Sequence, residues 1–526
     1  MKKKNDLSKP PGLLKGYGDW KVFLLRLAAF AWTVAQYPLL DMPVNWWPLH
    51  WVAWVPFLWA IHAQEGRGKI LFSYVGGTIG NLFLFSWISS FIPNFSNVPK
   101  PVAVLLLLVL CSYLSIHWIL MAVFIPRFRQ RFPQSWIWVA PALVVAAEFL
   151  LPQIFPYMQG LTQYRVVPIF QLASATGVYG ITYLLLFSNC VIFHTLCRYR
   201  SHKPFSWKPV LILLLFILIV LGYGMWREVQ YSQKSDQARE LKVGLIQSNI
   251  APHEHRSMGF GEIHRLYLDM SQQAVNEGAE WIIWSEGEFK PPLNSPVAQN
   301  ILIQDSRLLN RPILLGGFYF RYRDGKRFPS NSAIHVDPVG GMGKRYDKRF
   351  LVPFGEYMPF EKQLGFIYRH ISHRSTVYPG KDPVVQTLQD IPYAFLICYE
   401  AIFPSLVRES VRAGAQLLVN ITYDAWFGHT SASYQHLLLA SARSAENGIP
   451  LIRLGTTGIS TTIDSLGRMS TLSPLFERRV LIYTVKLIRL PSLYSRIGDV
   501  FSWLCVAVVI MALLFVWIQS RRRRSE

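Results

Sequence analysis

The sequence predicts a multi-span α-helical membrane domain of about eight transmembrane helices, joined to one α/β domain whose sheets lie between helical layers. Three observations predict it. Apolar stretches of spanning length recur at about residues 22–40, 50–63, 70–92, 102–125, 136–151, 168–196, 209–225 and 499–519. Lysine and arginine crowd into alternate loops between them, and a polar segment of single-domain size, 241–488, alternates strand and helix patterns. The 526 residues are 51% hydrophobic and 14% aromatic, and this apolar content is concentrated in the stretches rather than spread evenly.

Taken in order, the basic opening "MKKKNDLSKPPGLLKGYGDWK" runs into the first stretch with no small-residue cleavage site behind it, so it is expected to stay as a signal anchor. Arg26, inside that stretch, reaches back toward the headgroups. Stretches 50–63 and 136–151 are short against the ~20 residues of a full crossing and must borrow flanking residues or sit partly re-entrant. Trp46, Trp47, Trp51 and Trp54 serve either as interfacial anchors or as core aromatics between helices.

With the amino terminus inside, the inner segments hold Lys2, Lys3, Lys4, Lys9, Lys15 and Lys21, then Arg67 and Lys69, then Arg127, Arg129 and Arg131. They continue with Arg198, Arg200, Lys203 and Lys208 and finish with Arg521, Arg522, Arg523 and Arg524, while the short outer loops hold only Lys100 and Arg165. Such a bias sets orientation. It also accounts for most of the net charge of +22, so that charge does not call for a nucleic-acid partner. Seven spans over 1–228 leave the chain outside, a polar linker follows at 229–240, the α/β domain occupies 241–488, and a last span with a basic cytoplasmic tail fills 489–526.

Within the α/β domain, "LKVGLIQSN" is an apolar strand, and Ile263, Leu266, Tyr267, Met270 and Ala274 recur at helical spacing until Gly278. "AEWIIW", "RPILLGGFYF", "NSAIHVDPVGG", "YAFLI" and "AQLLVNI" read as strands, "SLVRESVRAG" and "YQHLLLASARSAENG" as helices, and "PLIRLGT" with "ISTTIDSLGR" as a hairpin pair. Consecutive strands flanked by helices imply sheets buried between helical layers.

Four of the five cysteines, Cys111, Cys190, Cys197 and Cys505, lie in or beside apolar stretches, which leaves Cys398 alone in the α/β domain. In "AFLICYEAIF" it either closes a buried strand as a small hydrophobe or is presented as a nucleophile where strand turns to helix. A thiol of pKa about 8.5 is only a few per cent thiolate at neutral pH, so a nucleophile there needs a base or a cation. Glu286, behind two tryptophans in "WIIWSEGEF", offers a carboxylate in apolar surroundings; standing alone it reads rather as a solvated carboxylate leaving a strand. Lys348 in "GKRYDKRFLVPFGEYMPF" offers an ammonium to hold an oxyanion, but Lys344, Arg345 and Arg349 are its neighbours and composition does not choose among them. His253 and His255 lack a third ligand at useful spacing, so neither a metal nor a cofactor is expected.

Residues 242–470 resemble the carbon-nitrogen hydrolase (nitrilase) superfamily. "YDKRFLVPFGEYMPF", "CYEAIFP", "YDAWFG", "YQHLLLASARSAENGIPLIR" and "TGIS" together resemble one membrane branch of it, the apolipoprotein N-acyltransferases, and that likeness extends over nearly the whole chain. The resemblance implies an α-β-β-α sandwich on an eight-span membrane domain, with Glu286, Lys348 and Cys398 as the catalytic triad. It implies that Glu356 positions the lysine and the attacking group, and that Tyr399 and Glu400 shape the floor of an acyl pocket. The sequence departs from the branch's pattern in places: Ser285 and Gly287 flank the triad glutamate where Pro and Thr are usual, and Arg256 stands where a Trp is expected. Tyr423 and Thr456 replace Asn, and Ser433 replaces Pro. The triad itself is kept, so the departures bear on substrate more than on chemistry, Arg256 most of all because it sets a charge where a ring would line a lipid entrance.

The expected activity is N-acyl transfer at the outer face of the bacterial inner membrane, by a chain acting as a monomer. A fatty acyl group passes from a phospholipid to Cys398 as a thioester and then to the α-amine of a diacylglyceryl-cysteine on a lipoprotein. Two alternatives are carried: a membrane-tethered amidase using the same triad, against which eight spans argue, and a non-catalytic paralogue that binds lipid or a partner. A transporter is disfavoured by the few charges within the spans.

Overall fold

A computed structural model of the chain describes residues 19–40, 44–63, 66–96, 98–323, 326–353, 355–357 and 377–525. Its contacts separate two units, one made of Met1–Ser86, Val104–Trp226 and Ile497–Glu526, the other of Trp87–Ala103 and Arg227–Arg496.

The first unit is helical, with α1 (Asp19–Leu40), α2 (Val55–Ala63) and α3 (Gly68–Leu84) ahead of α4 (Ile88–Ser96), which belongs to the second unit. It continues with most of α5 (Lys100–Leu114), then α6 (Ile116–Arg131), α7 (Trp136–Leu150), two single-turn helices α8 (Val167–Phe170) and α9 (Ala173–Thr176), α10 (Val178–Arg200) and the larger part of α11 (Trp207–Ser235). Among the described residues, four helical stretches are long and apolar enough to cross a bilayer: Lys100–Arg131, Val178–Arg200, Trp207–Ser235 and Val500–Arg522. The broken pair Gly68–Leu84 and Ile88–Asn94 makes a fifth if counted as one. Leu105, Leu106 and Val109 on α5, with Leu211, Leu214, Leu215 and Leu218 on α11, lie open. Such a surface is unfavourable in water and is matched by lipid tails.

Two expectations need correcting here. The stretch 50–63 does not form a spanning helix: a 3₁₀ turn over Trp47–Trp51 leads to the nine-residue α2, each with a proline, Pro48 and Pro56, at its start. Nine residues rise only ~14 Å, less than half the hydrocarbon thickness. Residues 229–235, expected as linker, continue α11, because "REVQYSQKS" contains no glycine or proline to end it. Inside the unit, Trp118 packs on Trp54 at 4.7 Å and on Phe57 at 5.0 Å between ring centroids. A Cβ on Gly77 would stand 2.8 Å from the Trp118 ring, so α3 meets α6 this closely only because position 77 has no side chain.

The second unit holds two mixed sheets. The larger contains β1 (Glu240–Gln247), β2 (Trp281–Trp284), β3 (Ile313–Arg323), β4 (Lys326–Asp337), β5 (Gly341–Met342) and β6 (Tyr346–Asp347). The smaller contains β7 (Val385–Leu388), β8 (Ile391–Ile397), β9 (Leu417–Thr422), β10 (Leu451–Gly455) and β11 (Thr461–Ile463), while β12 (Arg479–Lys486) returns to the larger sheet beside β1. Their orders are β12-β1-β2-β3-β4-β5, with β6 on β4, and β11-β10-β9-β8-β7. β1, β2 and β3 run parallel, as do β8, β9 and β10.

Parallel strands covered on both faces read as continuous apolar runs, and each residue's face follows from the two-residue period. In β2, Trp281 and Ile283 enter the core between the sheets with Phe395, Ile397, Val419 and Ile421. Ile282 and Trp284 turn the other way, onto Ile263, Tyr267, Met270 and Ala274 of α13 (Phe260–Asn276) and Leu302 of α14 (Pro296–Leu309), which follow the short α12 (Pro252–Ser257). Leu396 and Leu418 likewise leave the inter-sheet core for Leu406 and Val407 of α15 (Pro404–Arg412) and Leu437 and Ala440 of α16 (Ala432–Asn447). The layers are therefore helix, sheet, sheet, helix. Within the same unit α4 lies against the loop after β9, its flanking Trp87 5.3 Å from Phe427 and donating to Gln435 Oε1 at 3.1 Å.

Candidate active site

Glu286, Lys348 and Cys398 each stand where the chain has just left a strand, β2, β6 and β8 respectively. The first two meet directly. Lys348 Nζ lies 3.6 Å from Glu286 Oε1 and donates to Glu356 Oε1 at 2.8 Å, and the ammonium is 1% exposed. Asn331 Nδ2 donates to Glu286 Oε1 at 2.7 Å and to Glu356 Oε1 at 3.2 Å, while the Tyr423 N–H donates to Glu286 Oε2 at 3.0 Å. Glu356 Oε2 accepts from the Val352 N–H at 2.8 Å, which fixes the carboxylate that fixes the lysine. Cys398, partly buried, lies within the electrostatic field of Glu286 and Lys348.

Burial pushes the Cys398 thiol well up; the Glu286 charge adds to this and the Lys348 ammonium opposes it. Burial also lifts Glu286 above the usual carboxylate range, against Lys348, with Glu356 adding to the rise. For Lys348 burial pulls downward, but the Glu356 and Glu286 charges outweigh it and keep the side chain protonated. The arrangement thus holds a permanent cation beside a carboxylate of raised proton affinity, the group placed to act as a base.

Beneath Cys398 lies a buried network that sequence reasoning did not assign. Cys398 has φ +51°, a left-handed conformation uncommon outside glycine. Its carbonyl accepts from His436 Nε2 at 3.1 Å and Asn420 Nδ2 at 3.3 Å. A carbonyl only accepts, so Nε2 carries the imidazole hydrogen and Nδ1 accepts from Arg453 Nη2 at 3.1 Å. Burial and the neighbouring guanidinium keep that imidazole neutral. Arg453 also donates to Asn420 Oδ1 at 2.6 Å and Asp424 Oδ2 at 2.8 Å, and despite burial its charge holds the Asp424 carboxyl below its ordinary range. Asp424, His436 and Arg453 sit in the blocks "YDAWFG" and "YQHLLLASARSAENGIPLIR", and Asn331 and Asn420 lie within β4 and β9; the signal was polar residues inside otherwise apolar elements.

Glu400, expected to shape a pocket floor, is fully buried. Oε1 accepts from the Arg349 N–H at 2.6 Å and the Phe350 N–H at 3.2 Å, Oε2 from the Ile397 N–H at 2.8 Å, and Tyr346 Oη lies 2.8 Å from both oxygens. It braces the end of β8 against the segment carrying Lys348. Tyr399 stands edge-on to Phe403, with ring centroids 4.8 Å apart. Among the departures, Ser285 shares a hydrogen bond with Tyr267 Oη at 2.9 Å, Gly287 takes φ +72°, and Thr456 donates its N–H to the Thr422 carbonyl at 3.0 Å. Ser433 is buried on α16 and Arg256 is exposed on α12.

Residues 242–493 match the carbon-nitrogen hydrolase family, and residues 28–191 match the apolipoprotein N-acyltransferase N-terminal domain. A protein of Geobacter metallireducens is 34% identical over 484 residues, spanning 89% of this chain and 91% of that one. Proteins of Bdellovibrio bacteriovorus and Vibrio cholerae are 27% identical over 497 residues and 28% identical over 520, spanning 89% and 95% of this chain and 90% and 98% of theirs. All three carry the name apolipoprotein N-acyltransferase. With both of its parts matched and a relative this similar along nearly its full length, the chain belongs to the apolipoprotein N-acyltransferase family.

Proposed function

We propose that the chain moves a fatty acyl group in two steps through Cys398. In the first, Glu286 takes the thiol proton, the sulfur attacks the ester carbonyl of a phospholipid, and Lys348 holds the oxyanion that forms. Collapse breaks the ester C–O bond, the proton on Glu286 passes to the departing oxygen, and a lysophospholipid leaves a thioester behind. In the second, the α-amine of a diacylglyceryl-cysteine attacks the thioester carbon; Glu286 takes a proton from the amine and returns it to the departing thiolate, giving an amide and the free thiol. Glu356 keeps Lys348 aimed, and Tyr399 flanks the nucleophile.

The observation that carries this reading is the buried Lys348 ammonium, bracketed by Glu286 at 3.6 Å and Glu356 at 2.8 Å and charged in the field it shares with Cys398. Family membership supports lipid and lipoprotein substrates, and the open leucine-rich faces support an integral membrane chain. The lysine and arginine asymmetry supports an orientation in the bacterial inner membrane with both termini cytoplasmic and the α/β domain periplasmic. A monomer suffices, since every group named comes from one chain.

Incubation of the purified protein with phospholipid is expected to add the mass of one acyl chain to the peptide containing Cys398, and lipopeptide is expected to discharge it. Cys398→Ala should fold, gain no adduct and transfer nothing. Transfer by that variant would overturn the nucleophile, and hydrolysis of small amides with no lipid adduct would favour an amidase.

A further inference from the structure

Two residues beyond Glu286 the structure buries a second carboxylate that the mechanism does not use. Glu288 is 1% exposed, and neither of its oxygens has a hydrogen-bond donor. Donors stand nearby, and the Lys290 charge acts on this carboxyl, but none is hydrogen-bonded to it. Tyr423 Oη donates to the Ile250 carbonyl at 3.2 Å, Tyr267 Oη shares its hydrogen bond with Ser285 Oγ at 2.9 Å, and Lys290 Nζ donates to the Met258 carbonyl at 2.7 Å. Buried polar groups in native folds are almost always paired, and one left unpaired calls for an explanation.

The outer side of this carboxylate points to a ligand. His255, on α12, stands over it with Nε2 3.8 Å from Glu288 Oε2, beyond hydrogen-bond range, and that nitrogen has no partner either. Burial, with Lys290, keeps the imidazole neutral although the Gly287 and Glu288 carbonyls oppose this, and in the tautomer whose hydrogen is on Nδ1 the unpartnered Nε2 is an acceptor. Its side chain is 24% exposed, and none of the six residues of α12 is buried, so the cover is thin and opens to solvent. Once Glu288 gives up the proton that burial favours, its two oxygens and His255 Nε2 face one another with no donor among them. A primary ammonium carries three N–H donors and a positive charge, which matches that set; a quaternary ammonium has none to give.

The position ties the cluster to the catalytic carboxylate. Gly287, at φ +72°, turns the chain between Glu286 and Glu288. Tyr423 spans both: its N–H donates to Glu286 Oε2, and its phenol lies in the field of Glu288, Arg256, Glu254 and Glu286. Four of the departures from the family pattern, Arg256, Ser285, Gly287 and Tyr423, fall in this neighbourhood, where substrate choice rather than acyl chemistry would be altered.

We propose that Glu288 and His255 form a recognition subsite for a primary ammonium group beside the catalytic carboxylate. The proposal rests on the N-acyltransferase reading. The ammonium has two sources, the amino headgroup of a phospholipid donor or the α-amine of the lipopeptide acceptor, and the two half-reactions separate them.

The experiment uses the full chain in detergent, comparing wild type with Glu288→Gln, which keeps shape and removes the ionisable group, and with His255→Ala. The readouts are acyl-enzyme formation on Cys398 from phosphatidylethanolamine and from phosphatidylglycerol of the same acyl chains, and discharge of the acyl-enzyme by a diacylglyceryl lipopeptide. If the donor headgroup is bound, Glu288→Gln slows acylation by phosphatidylethanolamine ~10-fold or more, the range lost with a charge-assisted hydrogen bond, and leaves phosphatidylglycerol and discharge unchanged. If the acceptor amine is bound, acylation is unchanged from both donors and the KM for lipopeptide rises by a similar factor. His255→Ala follows the same arm with a smaller effect. The subsite is overturned if Glu288→Gln leaves both half-reactions within ~2-fold of wild type, or slows all three readouts equally together with a fall in melting temperature. A wild-type chain that forms no acyl-enzyme from either lipid overturns the functional reading instead, and the subsite with it.

Discussion

Cys398 sits in a backbone conformation that its neighbours must hold. A left-handed, non-glycine residue costs ~1–2 kcal/mol, and the His436 and Asn420 donors on the Cys398 carbonyl offset that strain. His436→Ala removes one donor and leaves Arg453 Nη2 without its imidazole acceptor. Acyl-enzyme formation should then slow ~10-fold or more while the KM for phospholipid changes little, with partial recovery in His436→Gln, which restores a donor. A fall in melting temperature with no change in rate would make the network structural only. Glu288 makes a separate prediction, for stability. Burial raises its pKa to about 8, with Lys290 opposing. The folded state therefore holds a proton that the unfolded chain, with a glutamate pKa of about 4.3, has lost, and stability declines as pH rises between those two values, by up to roughly 1.4 kcal/mol per pH unit. Melting curves of Glu288→Gln between pH 5 and 8 should lack that decline; a variant as pH-sensitive as wild type would contradict the assignment.

Between elements, Glu400 is the part that registers the two halves of the site. One carboxylate takes N–H groups from the end of β8 and from the segment after Lys348, so the positions of Cys398 and Lys348 depend on the same side chain. In Glu400→Gln the amide turns N–H toward at least one of those N–H donors. Stability should fall by ~1–3 kcal/mol, and acylation should slow even where the protein remains folded; wild-type acylation in a destabilised variant would show that the brace does not set the geometry. Much of this scaffold was legible beforehand. The helical period of Ile263, Tyr267, Met270 and Ala274 marked α13, and the run Trp281–Trp284 marked a strand buried on both faces, because burial itself writes those patterns. Helix α14 and strand β12 went unread, although Ala298, Leu302 and Leu309 do face the core. The meeting of Glu286 with Lys348 was not legible from spacing at all and came only with the family resemblance, since pairing of β2 with β3, of β3 with β4 and of β4 with β6 is what brings them together. Asp424, His436 and Arg453 were still harder to assign: a loop acid, a helix histidine and a strand arginine acquire a shared role only when β9, α16 and β10 converge.

For the whole molecule, the charge asymmetry makes a claim about sidedness that side-chain exposure allows to be tested. Val339, in the turn after β4, is 93% exposed, and Tyr199, among the basic residues at the end of α10, is 78% exposed. Cys111, Cys190, Cys197 and Cys505 are buried, so in a Cys398→Ala background a cysteine introduced at either position is the accessible thiol among the described residues. If arginines 198 and 200 hold their loop in the cytoplasm while the α/β domain is exported, a membrane-impermeant maleimide applied to intact spheroplasts labels Val339→Cys and leaves Tyr199→Cys untouched until lysis. Labelling of both from one side would place the α/β domain with the basic loops and remove the periplasmic assignment. Protection of Val339→Cys until lysis would invert the orientation, and the lysine and arginine count would then need a cause other than topology.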